Sequence, residues 1–414
     1  MSCAVASRRA TTGTLKTPEQ VPRGFPQSRS PEVLLLTLTR DGRVADPTAL
    51  EKIEQGLPSV TDCFLFCHGW LNDRAEAREG AARFFGALER WLQKLRDRVA
   101  PLRLALHWPS KPFADPELAR GALDDGLWPE LERLLLASPT RTETQALRRL
   151  LRELIEAEIP LAPEEEAELD RLLRLLSESR GALFVTPFQA LSFWVMKRRA
   201  GQVGERFGRE RWAPLWERLR SRPRLYLIGH SFGAKLVSSM VLGGARPTSL
   251  VLLQAAFSAF AFAPQVPGYN RPGFYHRVLA ERHVAGPIVA VRSVHDTALR
   301  VLYPLVTGSG QVDRGGRGLR TRTTVARSAM GAVGALGVGA TEVELRLTQR
   351  IGIPLLPVVN VDGSAVVRAS ELLVGAHLDI YHREVAALVL LAGGLLQGHP
   401  EGLRPRPVTP GVSS

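Results

Sequence analysis

One five-residue motif in the chain combines a nucleophile with the backbone freedom that would expose it. Residues 229–233 read Gly-His-Ser-Phe-Gly, between an apolar stretch that predicts a strand and a periodic stretch that predicts a helix. A sharp turn from strand to helix strains the backbone of the serine and needs small residues on both sides. The hydroxyl would then stand beside a helix N-terminus, which favours developing negative charge. We expect Ser231 to be a nucleophile; the alternative is a Gly-Ser turn that only packs a helix on a strand.

A nucleophilic serine needs a base, and the base needs an acid that orients it. Asp296 follows an apolar strand predicted over 288–291, so its carboxylate is expected at the same sheet edge as Ser231. Three histidines come later in the chain, namely His377, His382 and His399. We favour His377 because it lies on a loop before the last predicted helix. His382 stays open as an alternative, since it begins that helix.

Two other carboxylates compete with Asp296. Asp362 and Gly363 have the composition of a hairpin turn, and residues 355–361 and 365–367 predict a β-hairpin or two short strands. Asp379 has the position of a helix N-cap. Both positions suit structural roles, which favours Asp296 as the acid.

A second candidate loop, His68-Gly69-Trp70, follows a predicted buried strand over 62–67. A turn of this kind can direct a backbone N–H at a substrate oxygen. We expect the N–H groups of Trp70 and Phe232 to form such an oxyanion hole. His68 is expected to be a structural histidine, and the Trp70 ring fits either a substrate pocket or the core.

These residues would be positioned by strands that alternate with helices. The predicted strands cover residues 32–39, 62–67, 102–108, 224–228, 250–254 and 288–291. The predicted helices cover residues 72–99, 188–207, 212–219, 232–242 and 384–396. This alternation predicts parallel strand pairs and an α/β fold.

Residues 111–185 differ from the rest in charge and periodicity. They carry a net charge of −6, and leucines at helical spacing predict two amphipathic helices. We interpret them as a helical insertion, either a cap over the site or a packed satellite. The core is then predicted over 32–110 and 186–397, with disordered tails at 1–31 and 398–414.

Composition limits the classes of partner. The chain has 414 residues and a net charge of +13, with the basic residues widely spread. Segments 1–30 and 307–330 are basic enough to suggest contact with nucleic acid or anionic membrane, but no nucleic-acid motif accompanies them. No apolar stretch reaches the roughly 18 residues of a spanning helix, and residues 1–30 show no signal-peptide pattern. We expect no nucleic acid, no transmembrane segment and a cytoplasmic location.

Together, these motifs resemble the α/β-hydrolase superfamily, particularly its intracellular bacterial serine hydrolases. The resemblance rests on His68-Gly69-Trp70, on the motif at 229–233, and on Asp296 and His377 in the usual order. It implies a three-layer α/β/α sandwich with a mostly parallel eight-stranded sheet. It also implies cleavage of a small-molecule ester or acyl compound without metal or cofactor. The alternative is a catalytically silent scaffold that binds a protein partner through the helical insertion.

Overall fold

The computed structural model describes residues 32–111, 185–269, 271–303, 328–346, 356–369 and 374–396. The predicted terminal tails, nearly all of the predicted helical insertion and most of the basic segment at 307–330 lie outside the described residues.

A single eight-stranded sheet forms the centre of the described structure. Its strands are β1 (Leu34–Thr37), β2 (Asp62–Cys67), β3 (Pro101–His107), β4 (Arg224–His230), β5 (Ser249–Leu253), β6 (Ile288–Arg292), β7 (Thr341–Glu344) and β8 (Val358–Asp362). Their order is β1-β3-β2-β4-β5-β6-β8-β7. Every pairing is parallel, so the expected mostly parallel sheet is wholly parallel in this protein.

Helices cover both faces of the sheet. They are α1 (Pro47–Gly56), α2 (Arg74–Leu92), α3 (Val185–Phe207), α4 (Ala213–Arg218), α5 (Phe232–Leu242), α6 (His276–Ala280), α7 (Met330–Val333) and α8 (Arg383–Ala392). Apolar residues of α1, α3, α4 and α5 share one core with one face of the sheet. Those of α2 and α8 share a second core with the other face. The α/β class that the sequence predicts is confirmed.

The central strands are apolar on both faces because both faces are covered. In β2 every residue is buried. Cys63, Leu65 and Cys67 enter the first core, whereas Phe64 and Phe66 enter the second. Such strands appear in the sequence as continuous apolar runs, which explains why they could be predicted from it.

The β-hairpin alternative for this part of the sheet was wrong, and one strand was missed. Of the two short strands predicted, the first is present as β8, which pairs in parallel with β6 and β7, whereas the residues after Asp362 form a turn. The Asp362 side chain accepts a hydrogen bond from the Ser364 N–H and pairs with Arg292. The edge strand β7 was missed, since it is short and half exposed and its pattern of apolar residues is weak.

The order in which successive strands are added to the sheet changes direction at β2. The chain passes from β2 outward to β3 and then crosses back to β4, on the other side of β2. In open parallel sheets, the crevice at the carboxyl ends of such neighbouring strands is where ligands bind. The turns after β2 and β4 carry residues 68–70 and 229–233, so the two candidate motifs meet at this crevice.

Among the helices that the structure describes, none has both the length and the apolar character needed to cross a bilayer.

Candidate active site

Ser231 lies in the strained turn between β4 and α5. Its backbone has φ 55° and ψ −119°, in a region that residues with a side chain seldom adopt. The turn is held on both sides, since the Ser231 N–H donates to the Leu253 carbonyl at 3.0 Å and its carbonyl accepts from the Ala256 N–H at 3.3 Å. The turn predicted from the motif is therefore present.

The two glycines of the motif are required by close backbone approaches. A Cβ at Gly229 would lie 2.4 Å from the Cα of Ala234. A Cβ at Gly233 would lie 2.3 Å from the carbonyl oxygen of Cys67, at the end of β2. Neither neighbour can move aside, because both are backbone atoms of packed elements. The spacing of the motif thus reflects how tightly α5 is packed against β2 and β4.

A chain of hydrogen bonds joins Ser231, His377 and Asp296. The Ser231 Oγ and the His377 Nε2 are 2.9 Å apart. The His377 Nδ1 and the Asp296 Oδ2 are 2.7 Å apart. These three side chains come from the ends of β4 and β6 and from the helical turn Ala376–Leu378.

The Asp296 carboxylate is fully buried and is oriented by several donors. Its Oδ1 accepts the Leu299 N–H at 2.9 Å, and its Oδ2 also accepts the Gln254 Nε2 at 3.1 Å. An ionised carboxylate only accepts hydrogen bonds, so His377 carries its proton on Nδ1. Its Nε2 then has a lone pair directed at the Ser231 hydroxyl, which is the arrangement a general base needs.

The alternative base and acids are held elsewhere. The His382 Nε2 lies 2.7 Å from the Asp379 Oδ1. Asp379 also accepts the backbone N–H groups of Arg368 and Ala369, both at 2.8 Å. The prediction that Asp379 is the N-cap of the last helix was wrong: His382 occupies that position, without a side-chain cap.

His230, inside the motif, supports the turn that carries His377. Its Nε2 lies 2.8 Å from the His377 carbonyl oxygen, and the two rings are 5.0 Å apart. Burial, reinforced by repulsion from His377, lowers the pKa of His230 to about 3. The ring is therefore neutral at physiological pH and donates its Nε2 proton to the carbonyl.

The loop 68–70 contacts the serine turn directly. A Cβ at Gly69 would lie 2.9 Å from the Cβ of Ser231, which only glycine avoids. The His68 Nε2 accepts the Trp108 N–H at 3.3 Å, and its Nδ1 lies 2.8 Å from the Gly69 carbonyl. Burial lowers the pKa of His68 to about 3, so it serves this loop as a neutral, hydrogen-bonded ring.

The two residues expected to form the oxyanion hole lie on neighbouring elements. Trp70 follows Gly69, and Phe232 is the first residue of α5. Their ring centroids are 6.1 Å apart. The role of their N–H groups stays a prediction.

A small pocket lies beyond the residues that follow β5. Phe257, Phe260, Phe274 and Tyr275 contribute aromatic walls to it. The Phe262 ring, near these residues, packs on Tyr275 in the core and is not part of the pocket lining. Phe257 follows Ala256, whose N–H donates to the Ser231 carbonyl at 3.3 Å.

Sequence reasoning missed two residues of the site, Gln254 and His230. Each is a polar residue that ends an apolar stretch, β5 and β4, at the same edge of the sheet as Ser231. This position could have identified both residues, since a buried polar side chain at the end of a central strand needs a hydrogen-bond partner. His230 is a position of the motif at 229–233 that the motif leaves open to any residue, and Gln254 belongs to no motif, so neither was expected to have a role.

Comparison of the chain with protein-family models, with curated proteins and with solved structures found no match.

Proposed function

We propose that the chain is a serine hydrolase that cleaves carboxylic esters through an acyl-enzyme, with an α/β-hydrolase type of core. One observation carries the proposal: the hydrogen-bonded chain from Ser231 through His377 to Asp296, with distances of 2.9 and 2.7 Å. The three residues occur along the chain in the order serine, aspartate, histidine, which is the order of that superfamily. The strained serine backbone and the crevice at the strand ends support the same assignment.

The chemistry proceeds in two halves. His377 takes the proton of the Ser231 hydroxyl as the oxygen attacks the ester carbonyl, and Asp296 stabilises the imidazolium that forms. The N–H groups of Trp70 and Phe232 stabilise the oxyanion. When the tetrahedral intermediate collapses, the C–O bond to the alcohol breaks and His377 returns the proton to that alcohol. Water, activated by His377, then releases the acid and restores the serine.

We expect an apolar acyl group, because aromatic side chains at Phe257, Phe260 and Phe274 line a pocket just beyond the segment that follows β5. That segment bonds to the serine turn, since the Ala256 N–H donates to the Ser231 carbonyl at 3.3 Å. Turnover of p-nitrophenyl esters of increasing acyl length would define the acyl group that the purified protein accepts. Amides and thioesters follow the same chemistry and form the second series to measure.

The test of the proposal is a serine exchange with a matched control. Ser231→Ala should remove hydrolysis of p-nitrophenyl acetate and covalent labelling by a fluorophosphonate, because the attacking oxygen is lost. Ser238→Ala is the control, since Ser238 is a buried serine within α5 whose hydroxyl donates to the Ala234 carbonyl, at 2.8 Å. It should keep both activities.

Two outcomes would overturn the proposal. Turnover by Ser231→Ala equal to that of the unaltered chain would exclude this serine as the nucleophile. An unaltered chain that is folded but neither turns over esters nor reacts with the probe would favour the alternative of a silent scaffold that binds a partner.

A further inference from the structure

Gln254 is a buried polar residue at the centre of the site, and the mechanism above gives it no role. It follows β5, and its side chain is fully buried. Its backbone φ of +46° is unusual for a residue with a side chain. Of the four such residues among those described, Leu71, Ser231 and Gln254 follow β2, β4 and β5 at the site, whereas Arg282 lies elsewhere. Strain of this kind is retained where the surrounding structure holds it in place.

The Gln254 amide joins the acid to the turn that carries the base. Its Nε2 donates to the Asp296 Oδ2 at 3.1 Å and to the Ala376 carbonyl at 2.8 Å. The same Asp296 oxygen accepts the His377 Nδ1. Ala376 is the residue before His377, so one amide group fixes both partners of the Asp296–His377 hydrogen bond.

The orientation of the amide follows from its neighbours. Both partners of Nε2 only accept hydrogen bonds, so the nitrogen must face them. The Oε1 atom is then buried without a hydrogen-bond partner among the described residues. An amide that leaves its acceptor unsatisfied while using both donors indicates that the two donated bonds are what this side chain contributes.

We propose that Gln254 is a positioning residue, which aligns the Asp296 carboxylate and the His377 turn so that the imidazole points at Ser231. The inference rests on the proposed hydrolytic function. Together with His230, which donates to the His377 carbonyl at 2.8 Å, Gln254 holds two consecutive carbonyls of this turn from the ends of two strands. The turn that carries the base is thereby fixed by side chains at the ends of two strands, in addition to the contacts within its own loop.

The experiment removes the N–H donors of the Gln254 side chain while keeping the volume of the side chain. Gln254→Met keeps the length of the side chain and Gln254→Glu keeps its shape, but neither keeps the two N–H donors. Each should lower kcat for p-nitrophenyl acetate by about 10- to 100-fold at nearly unchanged KM, the loss expected when a hydrogen bond to a charged group is removed. The rate of fluorophosphonate labelling, which reports activation of Ser231, should fall by a similar factor.

The matched control is another buried amide. Asn360 lies in β8; its Nδ2 donates to the Ala335 carbonyl at 3.0 Å and to the Glu342 Oε1 at 2.7 Å, and its Oδ1 accepts the Ala335 N–H at 2.7 Å. None of these partners is one of the three proposed catalytic residues. Asn360→Leu therefore loses both donated bonds, as the Gln254 variants do, and one accepted bond as well, and it should lower the melting temperature while keeping kcat. If Gln254→Met and Gln254→Glu lose stability but keep kcat and labelling as Asn360→Leu does, Gln254 is only structural and the inference fails.

The outcomes separate this inference from the proposed function. An inactive, unlabelled wild-type chain overturns the function, whereas an active wild type with fully active Gln254 variants overturns only the inference. If the variants do not fold, hydrogen exchange in the wild type tests whether Gln254 makes the two hydrogen bonds. Both side-chain N–H protons of Gln254 are expected to exchange slowly, and fast exchange of either one contradicts the two hydrogen bonds.

Discussion

At the scale of single residues, hydrogen-bond partners distinguish side chains that the sequence left as alternatives. His377 and His382 are five positions apart, and each bonds to an aspartate at 2.7 Å. Only His377 also reaches the Ser231 hydroxyl. His382 instead begins α8, with its ring turned to Asp379. The proposed role of base therefore belongs to His377, whose second nitrogen faces the hydroxyl of Ser231.

This difference predicts opposite results for two equivalent substitutions. His377→Gln should lower kcat/KM for an activated ester by about four orders of magnitude, because no group remains to take the serine proton. His382→Gln should retain most of the activity, since it removes only a bond to Asp379. Steady-state kinetics of both purified variants measure the two values. Equal losses would contradict the assignment of the base.

At the scale of elements, the position of the serine turn depends on close packing between α3 and α5. A Cβ at Gly204 in α3 would lie 2.1 Å from the carbonyl oxygen of Leu236 in α5. Gly208 makes a similar approach to the Met240 carbonyl, at 2.5 Å. Because both neighbours are backbone atoms, only glycine lets the two helices pack at this separation. Packing against α3 thus holds α5 in place and keeps the first turn of α5 against β2 and β4.

Two glycine-to-alanine exchanges in helices should change stability in opposite directions. Gly204→Ala forces α3 away from α5 and should lower the free energy of unfolding by about 1–3 kcal/mol. Gly86→Ala in α2 meets nothing within 4 Å. There the better helix propensity of alanine should raise the free energy of unfolding by about 0.5–1 kcal/mol.

Urea denaturation of both variants, followed by circular dichroism, measures these changes. A Gly204→Ala variant as stable as Gly86→Ala would show that the contact between α3 and α5 is looser than described.

At the scale of the whole molecule, buried neutral histidines tie stability to pH. Burial lowers the pKa of both His68 and His230 from the ordinary value of 6.5 to about 3. Below pH 6.5 the unfolded chain protonates these rings while the folded chain does not, so acid favours unfolding. As the pH falls below 6.5, each ring lowers the free energy of unfolding by about 1.4 kcal/mol per pH unit, until the ring is protonated in the folded state near pH 3. Their contribution to the pH dependence vanishes above pH 6.5.

A variant without one of these rings should resist acid better. Between pH 7.5 and 5.0, His230→Phe should lose about 2 kcal/mol less free energy of unfolding than the wild type, because one titrating group is gone. His377 and His68 face His230, and they remain in both proteins. His295→Gln is the control, as its ring is exposed, and it should follow the wild type. An acid sensitivity in His230→Phe equal to that of the wild type would contradict a buried neutral ring.

Prediction from sequence succeeded best where the relevant forces are local. The central strands are continuous apolar runs, and α5 was predicted over the residues at which it begins and ends. The β-hairpin alternative at this position was wrong because Asp362 and Gly363 have hairpin composition, whereas in the structure they end the parallel strand β8. The predicted helical insertion over 111–185 lies outside the described residues, apart from its first and last residues.

The amino-acid sequence was sufficient to predict the α/β class, the strained serine turn and a short set of residues able to do chemistry. These depend on apolar periodicity and on the spacing of glycines, which act within a few residues. The tertiary structure was needed to show which histidine contacts Ser231 and which aspartate contacts that histidine, because these hydrogen bonds span 146 and 81 positions. It also revealed Gln254, whose two partners lie 42 and 122 positions away along the chain. Contacts at such separations follow from the order of strands in the sheet, which no local pattern encodes.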